Sequence, residues 1–150
     1  PGHGVSRLRV VDDYPQDSNG DGKYDDLIVV VEADMVKGGI YDSNNGSLEK
    51  DGKQVISGVS PDRYLTVPAG KQKIKLRFPG ANIRREQVNG PYALEFWMRD
   101  VFRKNGRLEC KEQCGAGGYC YGECTDGTEL VRSWALKNYK TKPYSYLDFM

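Results

Sequence analysis

An acidic, glycine-punctuated loop that runs straight into an unbroken apolar segment restricts this chain more than any other feature. The stretch Asp17-Ser18-Asn19-Gly20-Asp21-Gly22-Lys23-Tyr24-Asp25 carries side-chain oxygens at positions 1, 3, 5 and 9 of a tight loop, with glycine at position 6. A hard cation such as Ca²⁺ takes about six to eight oxygen ligands, and this spacing turns successive oxygens around one point. Gly22 permits the sharp turn, and the Lys23 carbonyl stands at the position-7 ligand. In a helix-flanked calcium loop, position 12 is glutamate. Here it is Ile28, inside Leu27-Ile28-Val29-Val30-Val31. The loop therefore opens a β-strand, and a further carboxylate has to come from Asp26, Asp12, Asp13 or elsewhere. A solvated Asp/Asn/Gly turn is the competing reading, because the same residues favour it. The expected ligands are Asp17, Asn19, Asp21, Lys23, Asp25 and Asp26, around Ca²⁺.

The rest of the chain agrees with a β-protein. Residues 6–11 alternate, with Leu8 and Val10 on one face, and residues 27–35 read as a long central strand. Residues 71–78 alternate cleanly: Ile74, Leu76 and Phe78 face one way, and Lys71, Lys73, Lys75 and Arg77 the other. Shorter strands are expected at 64–67, 92–102, 129–136 and 144–149, with one helical turn at 82–87. Turn signals recur at Gly38-Gly39, Asn44-Asn45-Gly46, Asp51-Gly52 and Pro68-Ala69-Gly70, and Asn105-Gly106 reads as a two-residue hairpin. About eight or nine short antiparallel strands indicate an all-β sandwich or jelly roll. A chain of 150 residues fits one domain, 1–150.

Cys110, Cys114, Cys120 and Cys124 fall symmetrically about Gly117. In an antiparallel hairpin, opposed residues share one index sum, so Cys110 faces Cys124 and Cys114 faces Cys120 around the turn Gly115-Ala116-Gly117-Gly118. Both pairs lie on one face. Four cysteines allow three connectivities, of which the nested one is preferred. The rival is a Cys₄ zinc site, but five residues between the two C-x₃-C pairs fall well short of the usual spacer of about 15–20. Disulfides imply an oxidising, extracellular location, with hyperthermophile cytosol an exception.

Net charge is +1, from 22 Lys and Arg against 21 Asp and Glu, which argues against a nucleic-acid partner. No apolar stretch approaches the roughly 18 residues of a membrane span. The chain shows no signal peptide and begins at Pro1, so the expectation is a processed mature protein or an excised domain.

Several segments together resemble a known architecture. Asp17 to Leu27 resembles a D-x-D-G-D-G-x-Y-D-x-L opening. Val67-Pro68-Ala69-Gly70 with Ile74-Lys75-Leu76-Arg77-Phe78-Pro79-Gly80 resembles an L-x-A-G, then V-x-L-x-F-x-G, core. Asn89-Gly90-Pro91-Tyr92-Ala93-Leu94 resembles a D-G-P-Y-x-L strand entry, and Tyr139 to Phe149 a Y-x-T-x-x-Y-x-Y-x-x-F close. Their order resembles the calcium-binding β-sandwich modules of archaeal and bacterial secreted and cell-surface proteins, often found beside protease or adhesion domains. The hairpin at 108–126 departs from that pattern as an inserted Cys-rich element. The resemblance implies a structural or binding role without catalysis.

Catalytic chemistry finds little to stand on. The sole histidine is His3, beside the amino terminus, where it could at most complete a square-planar Cu²⁺ or Ni²⁺ site. Paired carboxylates for glycoside hydrolysis stay open, although most acids lie in turns or beside the calcium loop. The row Lys71, Lys73, Lys75, Arg77 reads as a solvated strand face or a dock for an anionic polymer. Tyr92, Phe96, Trp97, Trp134, Tyr144, Tyr146 and Phe149 read as core or as a sugar-binding groove, so a glycan partner stays open.

The expected function is therefore a noncatalytic subunit of a cell-surface filament or tube. It would self-associate by β-strand addition, the segment 1–11 completing a neighbour's sheet, as in archaeal surface filaments built by donor-strand exchange. The alternatives are an accessory Ca²⁺-binding module of a larger secreted enzyme, such as a subtilisin-like protease, and a carbohydrate-binding module.

Overall fold

Eleven strands and one short helix make up the computed structural model, which describes residues 4–43, 46–57, 64–102, 104 and 106–150. Three strands form the smaller sheet: β1 (Val5–Gln16), β2 (Asp26–Met35) and β7 (Gly70–Pro79), antiparallel in the order β1-β2-β7. The larger sheet runs β5 (Lys53–Ser57), β4 (Ser47–Lys50), β8 (Ala93–Asp100), β11 (Leu130–Lys140), β10 (Tyr119–Thr125) and β9 (Glu109–Cys114). In that sheet β3 (Gly39–Ser43) pairs with β8 beside β4, and with β6 (Tyr64–Val67) on its other edge. The two sheets pack face to face as an all-β sandwich.

Alternation decides what faces the core. On β2, Leu27, Val29, Val31 and Ala33 are fully buried against Phe78 of β7, Leu94, Phe96 and Met98 of β8, and Trp134 and Leu136 of β11. The opposite face of β2 is also apolar at Ile28 and Val30, which are nearly as buried. Their cross-strand neighbours are Tyr14 and Arg77, and Asp12 and Lys75. Tyr14, Arg77 and Lys75 are long side chains of the kind whose apolar stems cover such positions. That explains an apolar run in a sheet with a solvent face. Lys71, Lys73, Lys75 and Arg77 point outward, and Leu76 and Phe78 inward, as the alternation predicts.

The structure corrects several expectations. The first strand continues to Gln16, beyond residue 11, because a bulge between Val10 and Asp12 shifts its register and keeps it paired with β2. Residues 144–149 are not a strand. Tyr146–Asp148 form a 3₁₀ turn capped by the Ser145 hydroxyl, and only Phe149 bridges, in parallel, to Tyr24. Asn105 lies outside the described residues, and no hairpin joins β8 to β9, because β11 and β10 stand between them. The one α-helix among the described residues, α1 (Gly80–Glu86), starts two residues before the expected turn and is followed by Gln87 in the left-handed region, at φ 56°. Asn44 and Asn45 of the second turn signal also lie outside the described residues, as do Pro1, Gly2 and His3. Asp51-Gly52 makes the β4–β5 turn with both residues at positive φ, as a two-residue hairpin needs.

Tyr92, Phe96, Trp134 and Phe149 are core residues, each at most 1 % exposed. Trp97 points the other way, with the Arg99 guanidinium 4.2 Å from its ring centroid. Of the expected sugar-stacking tryptophans, only Trp97 is accessible.

Candidate metal-binding loop

The 17–25 loop joins β1 to β2 and folds on its own side chains. Asp17 Oδ1 accepts from Gly20 N–H at 2.9 Å and Oδ2 from Gly22 N–H at 3.0 Å. Asn19 Oδ1 accepts from Asp21 N–H at 3.2 Å, and Asp21 Oδ1 from Lys23 N–H at 2.9 Å. Asp25 Oδ2 closes the loop by accepting from Ser18 N–H at 2.6 Å. Each is a short polar side chain holding backbone amides a few residues away, which is why Asp and Asn occupy these positions. Gly22 sits at φ 84°, in the left-handed region that a side chain would strain.

The loop thus brings Asp17, Asn19, Asp21 and Asp25 onto one nine-residue turn. Asp26 does not join them. Its Oδ1 accepts from Arg77 Nη1 at 2.6 Å across the β2–β7 pair. The Lys23 ammonium reaches away from the loop, donating to the Leu147 carbonyl at 2.9 Å. Asp17, Asp21 and Asp25 have no ion-pair partner among the described residues, so three carboxylate charges share one nine-residue turn without a cation of the protein's own. The donors are hard oxygens, the type Ca²⁺ selects. They do not already converge: among the described residues, the only three His, Cys, Asp or Glu side chains with ligand atoms all within 4.8 Å are Glu112, Cys114 and Cys120, away from this loop. Holding an ion would require the loop carboxylates to turn inward, using lone pairs that their amide bonds leave free.

The loop also clasps the end of the chain. Tyr24 N–H donates to the Asp148 carbonyl at 2.9 Å, and Met150 N–H donates back to the Tyr24 carbonyl at 3.2 Å. The Tyr24 ring meets Phe149 edge-on, with centroids 5.6 Å apart. Gly80 N–H donates to the Asp25 carbonyl at 2.7 Å. A Cβ at Gly80 would stand 2.4 Å from the Tyr24 carbonyl oxygen, so only glycine lets the start of α1 approach the loop. Arg84 of that helix donates to the Leu147 carbonyl at 3.0 Å, beside Lys23.

A second polar centre escaped the sequence reading. Asp13, seen there only as a spare ligand, is fully buried. Its carboxylate accepts from the hydroxyls of Tyr139 and Tyr144, both at 2.5 Å, and from Lys142 N–H at 3.3 Å. Burial, and then the bond to this carboxylate, push both phenols well above the ordinary tyrosine value. No local pattern could have found it, because the β1 bulge inverts the inward parity between Val10 and Asp13.

At the far edge of the larger sheet, Cys110–Cys124 and Cys114–Cys120 are disulfide-bonded in the nested pairing that symmetry implies. Each pair is directly opposed in the β9–β10 register. All four sulfurs are used and no cysteine is free, which removes the zinc reading. It also leaves the Glu112–Cys114–Cys120 group without a thiolate to bind metal. The β9–β10 hairpin continues the larger sheet through seven pairs with β11. No helix of the structure is long and apolar enough to cross a membrane. No family model, curated protein or solved structure matches the chain.

Proposed function

We propose that this chain is a noncatalytic, Ca²⁺-stabilised β-sandwich that serves as a structural subunit of an extracellular, cell-surface assembly. The observation that carries the reading is the double role of the 17–25 loop. It gathers three uncompensated carboxylates, and it holds the C-terminal strap through Tyr24 and Lys23. A cation bound there would neutralise the loop and rigidify the clasp in one event. At a concentration about 100 times its Kd, such a ligand adds about 2.7 kcal/mol to stability by mass action. Asp17, Asn19, Asp21, Asp25 and the Lys23 carbonyl are the proposed ligands. The two cystines fit a secreted protein.

A specific feature favours a second reading. Of the segment 1–11, expected to complete a neighbour's sheet, the part from Val5 onward is already paired with β2 of its own chain. A self-contained sandwich of this kind suits an accessory module that stabilises or targets a larger secreted enzyme. In the assembly reading, strand addition then has to use another edge or exchange β1 between copies.

Light scattering during a Ca²⁺ titration, with a chelator control, separates the two. Growth to large particles that chelation reverses is expected of the assembly subunit. A protein that stays monomeric and only gains melting temperature would leave the accessory module standing instead. Asp17→Ala and Asp21→Ala should each lower stability in Ca²⁺ and change little in chelator. Equal losses in both conditions would remove the ligand assignment.

A further inference from the structure

Among the described strands, β9 is the most exposed sheet edge. All six of its residues are exposed, its only strand partner is β10, and its pairing runs without a bulge. It contains no proline. The other long edges are guarded. β1 is broken by two register shifts, and its carbonyls at Val5 and Asp13 are taken by Tyr119 Oη and Lys142 Nζ. β7 carries lysine at three alternate positions, the usual guard against unwanted pairing.

Which groups of β9 face outward follows from the turn. Gly115 N–H donates to the Tyr119 carbonyl at 3.0 Å, making that pair hydrogen-bonded. Counting back by twos, Gln113, Lys111 and Glu109 bond inward to β10, and Cys110, Glu112 and Cys114 present their N–H and C=O groups to the free edge. Both cystines therefore occupy non-hydrogen-bonded positions, consistent with their short Cα–Cα distances of 4.0 Å. Two cross-links hold in register a hairpin whose outer strand, all of its residues exposed, is tied to the rest of the chain beyond β10 by the Glu112–Lys137 ion pair at 3.1 Å. Rigidity at an edge lowers the entropic cost of pairing with a partner.

We propose that the free edge of β9 is a self-pairing surface that joins antiparallel to β9 of a second copy about a two-fold axis, continuing the larger sheet through the dimer. This deepens the self-association reading above and rests on it. Charge selects the register. Centring the pair on Lys111 opposes two lysines, and centring it on Glu112 opposes two glutamates, both unfavourable. Centring it on Cys110 sets Glu109 of each copy opposite Lys111 of the other, twice, with Leu108 facing Glu112. Neither Glu109 nor Lys111 has an ion-pair partner among the described residues, and both are exposed.

Sedimentation equilibrium on the oxidised full chain in Ca²⁺ tests this, using wild type, Glu109→Lys, Lys111→Glu and the double exchange. Each single variant should weaken dimerisation about tenfold, and the double exchange should restore it. An equimolar mixture of the two single variants should pair more tightly than either alone, a result that a folding defect would not produce. Amide exchange at Cys110 and Glu112 should slow with protein concentration. If all variants associate as wild type does, the β9 edge is not the interface, whereas Ca²⁺-dependent growth in that same set would leave the assembly reading intact. A wild type that stays monomeric at every concentration and Ca²⁺ level would overturn both.

Discussion

Asp13 is where β1 and the C-terminal segment converge, a buried carboxylate that accepts from three donors of that segment. Replacing it with alanine leaves two partly buried tyrosine hydroxyls and the Lys142 amide without their acceptor. Asp13→Ala should cost about 3 kcal/mol in urea unfolding, and a loss under about 1 kcal/mol would show that these donors find other partners. Asp126 behaves in the opposite sense, at the surface. Its Oδ1 accepts from Thr128 N–H and Glu129 N–H, both at 2.9 Å, and from the Thr128 hydroxyl at 2.8 Å. Those bonds, the Thr128 amide first, hold its carboxyl down at about 2, against an ordinary 3.8. A depressed value stabilises the folded turn above the ordinary carboxyl range, and that contribution disappears as pH falls through about 2. A carboxyl resonance titrating near 3.8 would contradict the turn geometry.

At the scale of elements, the tight turn of the 17–25 loop and the cystine hairpin were legible in the sequence because both are local. Their residue spacing alone sets turn and register. Reduction of the disulfides should loosen β9 and the outer half of β10, seen as faster amide exchange at 109–125, and leave exchange in β2 and β8 near its oxidised rate. Global unfolding on reduction would mean that the hairpin is integral to the sandwich. β7 was equally readable, since one polar and one apolar face need only a period of two. Elements whose identity depends on distant partners were not readable. The 144–149 segment has strand-like aromatic alternation, yet Ser145 caps a 3₁₀ turn there and Phe149 enters the core beside Tyr24 and Tyr144.

For the whole molecule, buried phenols predict the alkaline limit. Burial raises Tyr92 and Tyr119 to about 12, the latter aided by neighbouring Tyr121, and Tyr139 and Tyr144 shift further in the same direction. The unfolded chain releases these protons near 10.0 while the folded chain keeps them. Stability is thus complete below that value and lost as pH rises through about 12. The tyrosinate absorbance should lag behind that of the unfolded protein until the chain melts, and coincident titrations would show that the phenols are accessible. By itself the sequence determined the class of the fold, the tight turn of the 17–25 loop, the cystine pairing and the polarity of β7. Each of these follows from residues within about a dozen positions of one another. Only the tertiary structure decided that β8 and β9 are not neighbours, that β1 stays in its own sheet, that Asp26 serves Arg77, and that Asp13 is buried. Those outcomes depend on which distant strands share a sheet and on a single inserted residue at the β1 bulge, and no local periodicity records either.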